Sequence, residues 1–372
     1  MHFEFYSIDD LSPLLLREIT AFLDSQNTSH VFQFPQWNRS SAKYAVLREG
    51  RSIRWFTAFG VHSPLGRAWP WMRAVVSNRG PVCDDENLWH AATEEFVAHV
   101  AHDKYTYFEV GSNWVQTPGG NIENDFANLA WEPLKGERFS LRVGLGDRED
   151  VIFARFRKSS RYEVRRAERL RVSVTAAETE PELEEFLNLQ LHLSTRKGFL
   201  AESPEHVRAA VRWLINDKNR GALLLARAEN AIRGGAVIVR SGKRCWYVWG
   251  ATESNDRFNV GHILQWKALL WAKAHGCDEY DFCGYTPAAK SGPAWFKAGF
   301  GGAVVRFVPS YRKVLRPGYY RIFQVLSRLR DYSVQMPPKF SIGGSALSKS
   351  ITTRCHSTAR PSAKAHESEQ PC

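Results

Sequence analysis

The sequence lacks any apolar run near the roughly 20 residues that a membrane-spanning helix needs. The segment Met1–Thr20 also lacks a basic stretch followed by an uninterrupted apolar one, which argues against a secretory signal. We therefore expect a protein of the cytoplasm. The composition is otherwise that of a globular chain, with 44% hydrophobic and 24% charged residues.

Paired cysteines are also missing. The six cysteines form no C-x-x-C pair, and their spacing fits no common zinc site. We predict reduced, structural thiols and no bound metal. These cysteines are Cys83, Cys245, Cys277, Cys283, Cys355 and Cys372.

What the sequence has in excess is positive charge, and that charge is concentrated. The formal net charge is +11, while residues 154–171 alone carry a net +6 and residues 303–330 a net +7 with no acid. The rest of the chain is therefore slightly acidic. Focused basic stretches of this kind are typical of proteins that bind phosphate groups.

Hydrophobic periodicity predicts a mixed α/β chain. Beyond Ser140 it predicts a helix from Asp147 or Asp150 to about Leu170, and then strands and helices ending in a strand near 303–308. That order of elements is similar to the GNAT acyltransferase fold, and the first third of the chain reads as the same architecture. From Met336 onward periodicity disappears, so we predict a disordered tail over 336–372.

Four segments, in order, resemble the FemAB family of peptidoglycan bridge-forming aminoacyltransferases. The first contains Q-x-x-x-W and the second R-G-P-V. The third is a basic helix with an R-x-x-x-R-R-A-E core, and the last joins Y-D-x-x-G to F-K-x-G-F-G-G. They are Gln33–Trp37, Arg79–Val82, Arg161–Glu168, and Tyr280–Gly284 with Phe296–Gly302.

The resemblance implies two tandem GNAT-like domains with mixed sheets. The first would span 1–139 and be completed by 303–332 returning from the C-terminus, and the second would span 140–302. It also implies transfer of an amino acid from aminoacyl-tRNA to an amine of a peptidoglycan precursor. Members that use nucleotide-linked precursors tend to carry a lysine four residues after the tryptophan, where this chain has Ser41. The identity of the acceptor therefore stays open.

The basic helix is the first candidate site. Arg161 and Arg165 are four residues apart, so they share one helical face, and like charges at that spacing destabilise a helix. A merely solvated face would interleave acids, and only Glu163 and Glu168 are present. We predict that Arg161 and Arg165 bind phosphate groups of the tRNA or of a cell-wall precursor.

The closing motif supplies the predicted chemistry. Lys297, held between large apolar neighbours, would stabilise the negative charge that builds on the ester carbonyl during aminolysis. Asp281 is either a general base or amine anchor, or an aspartate that caps the turn after its strand. Phe296 and Tyr247 are predicted to line the substrate cleft, although Tyr247 is as compatible with a core position, and Trp37 is predicted to bind substrate.

Two alternatives remain at this point. The first is an acyl-CoA- or carrier-dependent N-acyltransferase of polysaccharide or lipid modification. It would need a glycine-rich R/Q-x-x-G-x-G/A loop, whereas Arg257–His262 offers one glycine at the wrong spacing. The second is a non-catalytic protein that binds tRNA or anionic lipid. We predict an enzyme without cofactor or metal, with aminoacyl-tRNA and a phosphate-bearing precursor as partners, and peripheral contact with the inner membrane face as a further possibility.

Overall fold

A computed structural model describes residues 1–38, 42–66, 69–117, 126, 128–136, 138–198, 202–253, 257–287 and 292–335. Within these ranges the strands are β1 His2–Ser7, β2 Lys43–Glu49, β3 Ser52–His62, β4 Ala74–Asn78, β5 Tyr107–Gly111, β6 Glu132–Pro133, β7 Arg138–Gly144, β8 Ser173–Ala176, β9 Gly221–Ala228, β10 Ala231–Ser241, β11 Arg244–Thr252, β12 Glu279–Asp281, β13 Ala303–Phe307 and β14 Tyr311–Val314. The helices are α1 Pro13–Ser25, α2 Glu86–Ala101, α3 Glu149–Ala154, α4 Lys158–Arg169, α5 Glu180–Lys197, α6 Pro204–Asn216, α7 Gly261–Ala274, α8 Gly292–Ala298 and α9 Pro317–Gln335.

The strands form two mixed sheets of seven strands each. The first has the order β1-β2-β3-β4-β5-β14-β6 and the second β13-β7-β12-β11-β10-β9-β8. In the first sheet β2 and β3 form a hairpin whose turn contains Gly50 at a φ of 60°, a conformation that glycine adopts without strain. Helix α2 covers this sheet, packing Trp89 and Phe96 into a core with Trp55 and Phe108.

One predicted helix is in fact two. The chain breaks between α3 and α4 because the backbone N–H of Arg157 donates to the carbonyl of Gly299 at 2.8 Å, outside the helix. Arg157 accordingly has an extended backbone and begins α4 as its N-cap. The break brings the start of the basic helix against the loop that follows α8.

The segment returning from the C-terminus divides between the sheets. We expected 303–332 to complete the first domain, but β13 pairs with β7 at the edge of the second sheet, with Val304 opposite Leu141. The first sheet receives β14, which pairs with β5 and β6, and the helix α9 that packs on β5. The chain therefore crosses from the second sheet to the first between β13 and β14. The predicted tail over 336–372 and Ser41 lie outside the described residues.

One of the buried hydrophobic clusters contains residues of both halves. Leu15, Ile19 and Leu23 of α1 belong to the same buried cluster as Phe186 of α5 and Val211 of α6. An ion pair spans the joint, because Arg220 donates to both carboxylate oxygens of Asp24 at 2.7 and 2.9 Å. The halves are therefore held together by apolar packing and by this ion pair.

Helix α9 is the last described element. Tyr320 and Phe323 pack against Tyr107 of β5, with ring centroids 5.8 and 5.4 Å away. Nowhere in the described ranges is a helix both long enough and apolar enough to cross a bilayer.

Candidate active site

A cavity forms where two strands of the second sheet stop pairing. β11 and β12 are parallel neighbours, and their pairing ends at Trp246 and Asp281, whereas β11 continues to Thr252. The part of β11 beyond its pairing with β12, which still pairs with β10, faces a cavity of about 570 Å³. Its described lining comprises Leu193, Gly235, Ala236, Tyr247, Gly250, Ala251, Thr252, Glu253, Asn259, Val260, Gly261, Leu264, Gln265, Gly292, Pro293, Phe296 and Lys297. That volume is in the range of sites for small organic ligands.

Tyr247 lines this cavity with a hydroxyl that forms no hydrogen bond within the described part of the chain. The hydroxyl lies over Gly250, where a Cβ would collide with it, so a side chain at that position would displace the phenol. Burial raises the pKa of Tyr247 to about 12. The phenol therefore stays protonated near neutral pH and can donate a proton or a hydrogen bond to a ligand.

Lys297 is fixed to the cavity wall by backbone carbonyls. Its Nζ donates to the carbonyl of Cys283 and, at 2.8 Å, to that of Gly284. Both residues have positive φ, 47° and 48°, which forms the tight turn after β12 that directs two carbonyls toward the ammonium group. The result is a fixed positive charge on the cavity lining, where we predicted a lysine beside the reacting centre.

Phe296 also lines the cavity and is held by two further rings. Its ring centroid is 5.0 Å from that of His262 and 5.2 Å from that of Phe300, both in edge-on contact. The structure therefore brings Phe296, Lys297 and Tyr247 together, three of the residues predicted for substrate binding and catalysis. Their roles remain predictions.

Asp281 is placed differently from the catalytic role predicted for it. Its carboxylate is 1% exposed and is absent from the described cavity lining. It accepts hydrogen bonds from the hydroxyl of Ser140, from Nε of Arg142 at 2.8 Å and from the backbone N–H of Cys283 at 2.9 Å. A carboxylate engaged by three donors is a structural ion pair and a cap for the following turn, which was the alternative left open by the sequence.

The two arginines predicted to bind phosphate have different surroundings. Arg161 donates from Nη1 to the carbonyls of Ala154, at 2.8 Å, and Phe156, so it caps the end of α3. Arg165 is exposed, with its guanidinium 5.5 Å from the ring centroid of Phe153. Arg165 is thus the more accessible of the two, whereas half-buried Arg161 is engaged with backbone carbonyls, and phosphate binding by both residues stays a prediction.

Trp37 is a core residue in the joint between the halves. It stacks on Trp249 with ring centroids 4.6 Å apart, and its carbonyl accepts from Nε2 of His206 at 2.6 Å. It is buried and does not belong to the described lining of the cavity. These contacts pack β11 and α6 against the first half, and the contact of Trp37 with substrate stays a prediction.

Polar residues that the sequence pattern did not single out also line the cavity. Gln265 of α7 is buried and accepts from the hydroxyl of Tyr280 at 2.8 Å, which orients its amide. Glu253 is the one carboxylate in the described lining, and Arg233 holds it at 2.9 Å. A polar side chain between the apolar residues Ile263, Leu264 and Trp266 was the signal that could have identified Gln265.

The N-terminus of α7 opens into the same cavity. Asn259, Val260 and Gly261 belong to the lining, and Gly261 is the first residue of the helix. The first N–H groups of a helix have no partner inside it, and the helix dipole places partial positive charge there. An anionic or carbonyl group of a ligand could be bound at this point.

A cation–aromatic pair with an exposed ring and a half-buried guanidinium lies beside the cavity. Trp295 is next to Phe296 in α8 and is 56% exposed, and the guanidinium of Arg157 lies 4.2 Å from its ring centroid. Along α4, the exposed residues Lys158, Arg165 and Arg169 form no ion pair with any acid in the described ranges. The surface next to the cavity is therefore basic and carries an exposed aromatic ring.

The part of the chain that the structure describes contains no group of three or more His, Cys, Asp or Glu side chains that could hold a metal ion. The described thiols lie apart from the cavity lining. Burial raises the pKa of Cys83 and of Cys277 to about 11, so both thiols are protonated near neutral pH. They have the character of packing residues.

Comparison with known proteins shows which family the region around the cavity is similar to. Residues 154–297, which include α4, the cavity and α8, match the family model described as acetyltransferase (GNAT) domain. This part of the chain is similar to a GNAT acyltransferase domain. The acyltransferase class that the sequence predicted is confirmed at the level of this domain.

Two solved structures extend the likeness to both halves. The crystal structure of FemX superposes with a TM-score of 0.73 at 14% identity, covering 87% of this chain and 99% of that one. The structure of L-PGS from Bacillus licheniformis superposes with a TM-score of 0.55 at 12% identity, covering 82% and 92%. At these identities the likeness concerns the fold, which is that of tandem GNAT-like domains, as predicted.

Sequence similarity to curated proteins is weaker and local. The aminoacyltransferase FemA of Staphylococcus epidermidis is 26% identical over 107 residues. The match spans 27% of this chain and about a quarter, 26%, of that relative's length. A FemAB-like assignment is consistent with these values, which do not identify the donor or the acceptor.

Proposed function

We propose that the protein is an aminoacyltransferase of FemAB type, which transfers an amino acid from aminoacyl-tRNA to an amine of a peptidoglycan precursor or related cell-envelope acceptor. One observation carries this proposal: the cavity beyond the β11–β12 pairing has a protonated tyrosine and a fixed lysine in its wall and adjoins a basic surface. The local similarity to FemA and the shared fold with FemX support it.

The reaction would be the aminolysis of an ester. The acceptor nitrogen forms a bond to the carbonyl carbon, the ester C–O bond breaks, the nitrogen loses a proton, and the ribose oxygen that leaves gains one. Negative charge develops on the carbonyl oxygen, which the fixed ammonium of Lys297 stabilises. Tyr247 is suited to protonate the leaving oxygen, and Glu253 is suited to orient the amine.

The donor is assigned from the surface around the cavity. An aminoacyl-tRNA ends in unpaired nucleotides, which bind to proteins through base stacking and phosphate contacts. Trp295, with half-buried Arg157 against its ring, provides an exposed aromatic ring for stacking. Arg165 and Arg169 provide charges that have no acidic partner in the described ranges. In this assignment the acyl group enters the cavity while its carrier lies along α4.

One observation favours a second candidate, an N-acyltransferase that uses acyl-CoA or an acyl carrier. The N-terminus of α7 lies in the cavity wall, and helix N-termini bind phosphate groups. The segment before it lacks the glycine-rich spacing that a pyrophosphate loop requires, so we rank this donor second. Action in the cytoplasm, on a phosphate-bearing precursor, without cofactor, remains part of the proposal.

A donor screen tests the proposal. Purified protein is given charged tRNAs in one series and acyl-CoAs in another, with and without cell-wall precursors that bear a free amine. We expect deacylation of a charged tRNA that depends on the precursor and disappears in Lys297→Met. Turnover of an acyl-CoA alone would establish the second candidate, and no turnover of either donor with any precursor would contradict both.

A further inference from the structure

Helix α9 has an apolar face that nothing in the described structure covers. Tyr320 and Phe323 pack on the first sheet, whereas Ile322, Val325 and Leu329 are exposed. These three residues recur at intervals of three and four, so they lie along one side of the helix, away from the packed rings. Val325 is 56% and Leu329 60% exposed, so these side chains form a contiguous apolar stripe and are not scattered single residues.

The same side of α9 is positively charged. Arg321 and Arg328 are exposed on it and form no ion pair with any acid whose side chain the structure describes. The acids of neighbouring elements are engaged elsewhere, since Glu109 binds Arg312 and Glu94 binds Lys313. Guanidinium groups therefore flank the apolar stripe, and α9 carries three arginines against one acid, Asp331.

Exposed aromatic residues continue this surface. Trp71 is 43% exposed and lies edge-on to Tyr319 of α9, with ring centroids 5.4 Å apart. Trp69 is 5.3 Å from Trp71 on its other side, and the guanidinium of Arg316 lies 3.9 Å from the Tyr319 ring centroid. Tryptophan and tyrosine with neighbouring arginine are typical of surfaces that lie at the boundary of lipid and water.

We infer that the exposed side of α9, together with Trp71, is a docking surface for an anionic lipid bilayer. A basic amphipathic helix lies in the plane of the interface, with its apolar side in the acyl boundary and its cations among the headgroups. Val325 and Leu329 are the inserted side chains, Trp71 lies at headgroup depth, and Arg321 and Arg328 bind lipid phosphates.

Charge favours an anionic bilayer over two other partners for this face, which are the C-terminal segment and a second copy of the chain. The segment 336–372 directly follows α9 and has five basic residues against two acids, so it is repelled by the arginines that it would cover. A second copy that used the same helix would likewise bring arginines against arginines. An anionic membrane complements the charge and the apolar stripe together. The inference goes beyond the proposed function, because lipid docking does not depend on which acyl group is transferred.

The test is co-sedimentation of the full-length protein with vesicles. One set contains equal parts of phosphatidylcholine and phosphatidylglycerol, and the other contains phosphatidylcholine alone. We expect binding to the anionic set that weakens with salt and falls at least about 30-fold in Arg321→Glu/Arg328→Glu, or about fivefold for each arginine removed from the surface. We expect a loss of similar size in Val325→Glu/Leu329→Glu.

Matched controls separate docking from general charge. Leu191 of α5 is 59% exposed, so Leu191→Glu changes an equally exposed leucine elsewhere, and Arg51→Glu reverses an exposed charge in the β2–β3 turn. Both should bind vesicles like the parent. Far-ultraviolet circular dichroism of each variant verifies that the total helix content is unchanged.

Four outcomes would overturn the inference: equal binding to both vesicle sets, equal losses in the two control variants, binding that appears only after truncation following Gln335, and a parent dimer that Leu329→Glu dissociates. The third outcome would mean that the C-terminal segment covers the helix, and the fourth that a second copy does. Because acyl transfer is not measured, a failed donor screen would leave this result unaffected.

Discussion

The side-chain amide of Gln33 lies so close to Gly80 that a Cβ on that glycine would be 2.5 Å from the amide atoms. The same amide donates to the carbonyl of Asn78 at 2.7 Å and accepts from the backbone N–H of Ala58 at 2.8 Å. Gln33 thereby ties the segment after α1 to two strands of the first sheet. Two of the motifs that prompted the family resemblance are thus parts of one packing arrangement.

That contact makes Gly80 a sensitive position. We expect Gly80→Ala to lower the free energy of unfolding by about 1–3 kcal/mol, because the added methyl group displaces a buried, fully bonded amide. The measurement is urea denaturation followed by circular dichroism. Gly60→Ala is the control, since a Cβ at Gly60 of β3 meets nothing within 4 Å.

A double variant checks the assigned cause. In Gln33→Ala/Gly80→Ala the clash is absent, so the combined loss should be smaller than the sum of the single losses. Strict additivity, or a Gly80→Ala variant as stable as Gly60→Ala, would contradict the contact as the source of the effect.

Lys297→Met should lower kcat by a factor of about 10²–10³ with little change in KM, because the charge that the lysine stabilises appears only in the transition state. The methionine retains the apolar stem but loses two hydrogen bonds to the turn after β12. Melting temperature must therefore be measured alongside the kinetics. An increase in KM at constant kcat would instead mean that Lys297 binds the donor equally in both states.

Replacing Arg161 and replacing Arg165 should have different effects on stability and on substrate binding. Arg161→Ala removes a cap from α3 and should lower the melting temperature, whereas Arg165→Ala should leave stability nearly unchanged and weaken binding of the phosphate-bearing substrate. The readouts are thermal denaturation and Kd as a function of salt concentration. If Arg165→Ala binds substrate with unchanged salt dependence, the exposed face of α4 is not a phosphate site.

Tyr247→Phe should reduce kcat by at least about 10², the usual contribution of a proton donor. The pKa of the phenol is raised from 10.0 to about 12, so the protonated form persists through neutral pH and the parent should lose no activity from its ionisation below about pH 10. An unchanged kcat in Tyr247→Phe would remove the phenol from the mechanism.

The raised pKa also gives a stability prediction with a defined sign. Because the folded-state pKa exceeds the unfolded one, the contribution of Tyr247 is fully present below pH 10 and is lost as the pH rises from 10 to about 12. The parent should therefore lose more stability across that window than Tyr247→Phe does, as measured by urea denaturation at each pH. Parallel losses in the two proteins would mean that the phenol is solvated as in the unfolded chain.

Much of the architecture follows from local pattern. The hairpin of β2 and β3, the long helix α7 and the final Gly276 have the periodicity and turn residues that predict them. The break between α3 and α4 could not be predicted, because it depends on the carbonyl of Gly299, far away in sequence. For the same reason the change of sheet between β13 and β14 is invisible to the local pattern.

The site follows a similar division. Phe296 and Lys297 could be located because a short motif on α8 carries both, and Tyr247 because it lies in the strand before the long helix. Asp281 and Arg161 have the right chemistry for a site, but their partners lie on β7 and α3 and satisfy them within the fold. The sequence shows which charged groups are present, but only the fold determines which of them are free of partners within the protein and able to bind a ligand.

The position of β14 affects how the protein can be made. This strand, Tyr311–Val314, lies between β5 and β6 in the first sheet, and β6 has no other strand partner in the described structure. During synthesis, the edge of β5 therefore stays unpaired until the second sheet and then β14 have been translated. Open strand edges recruit strands of other chains. A nascent or prematurely terminated chain that ends before Tyr311 is consequently the form of this protein most exposed to aggregation, and the form for which chaperone contact at the β5 edge matters most.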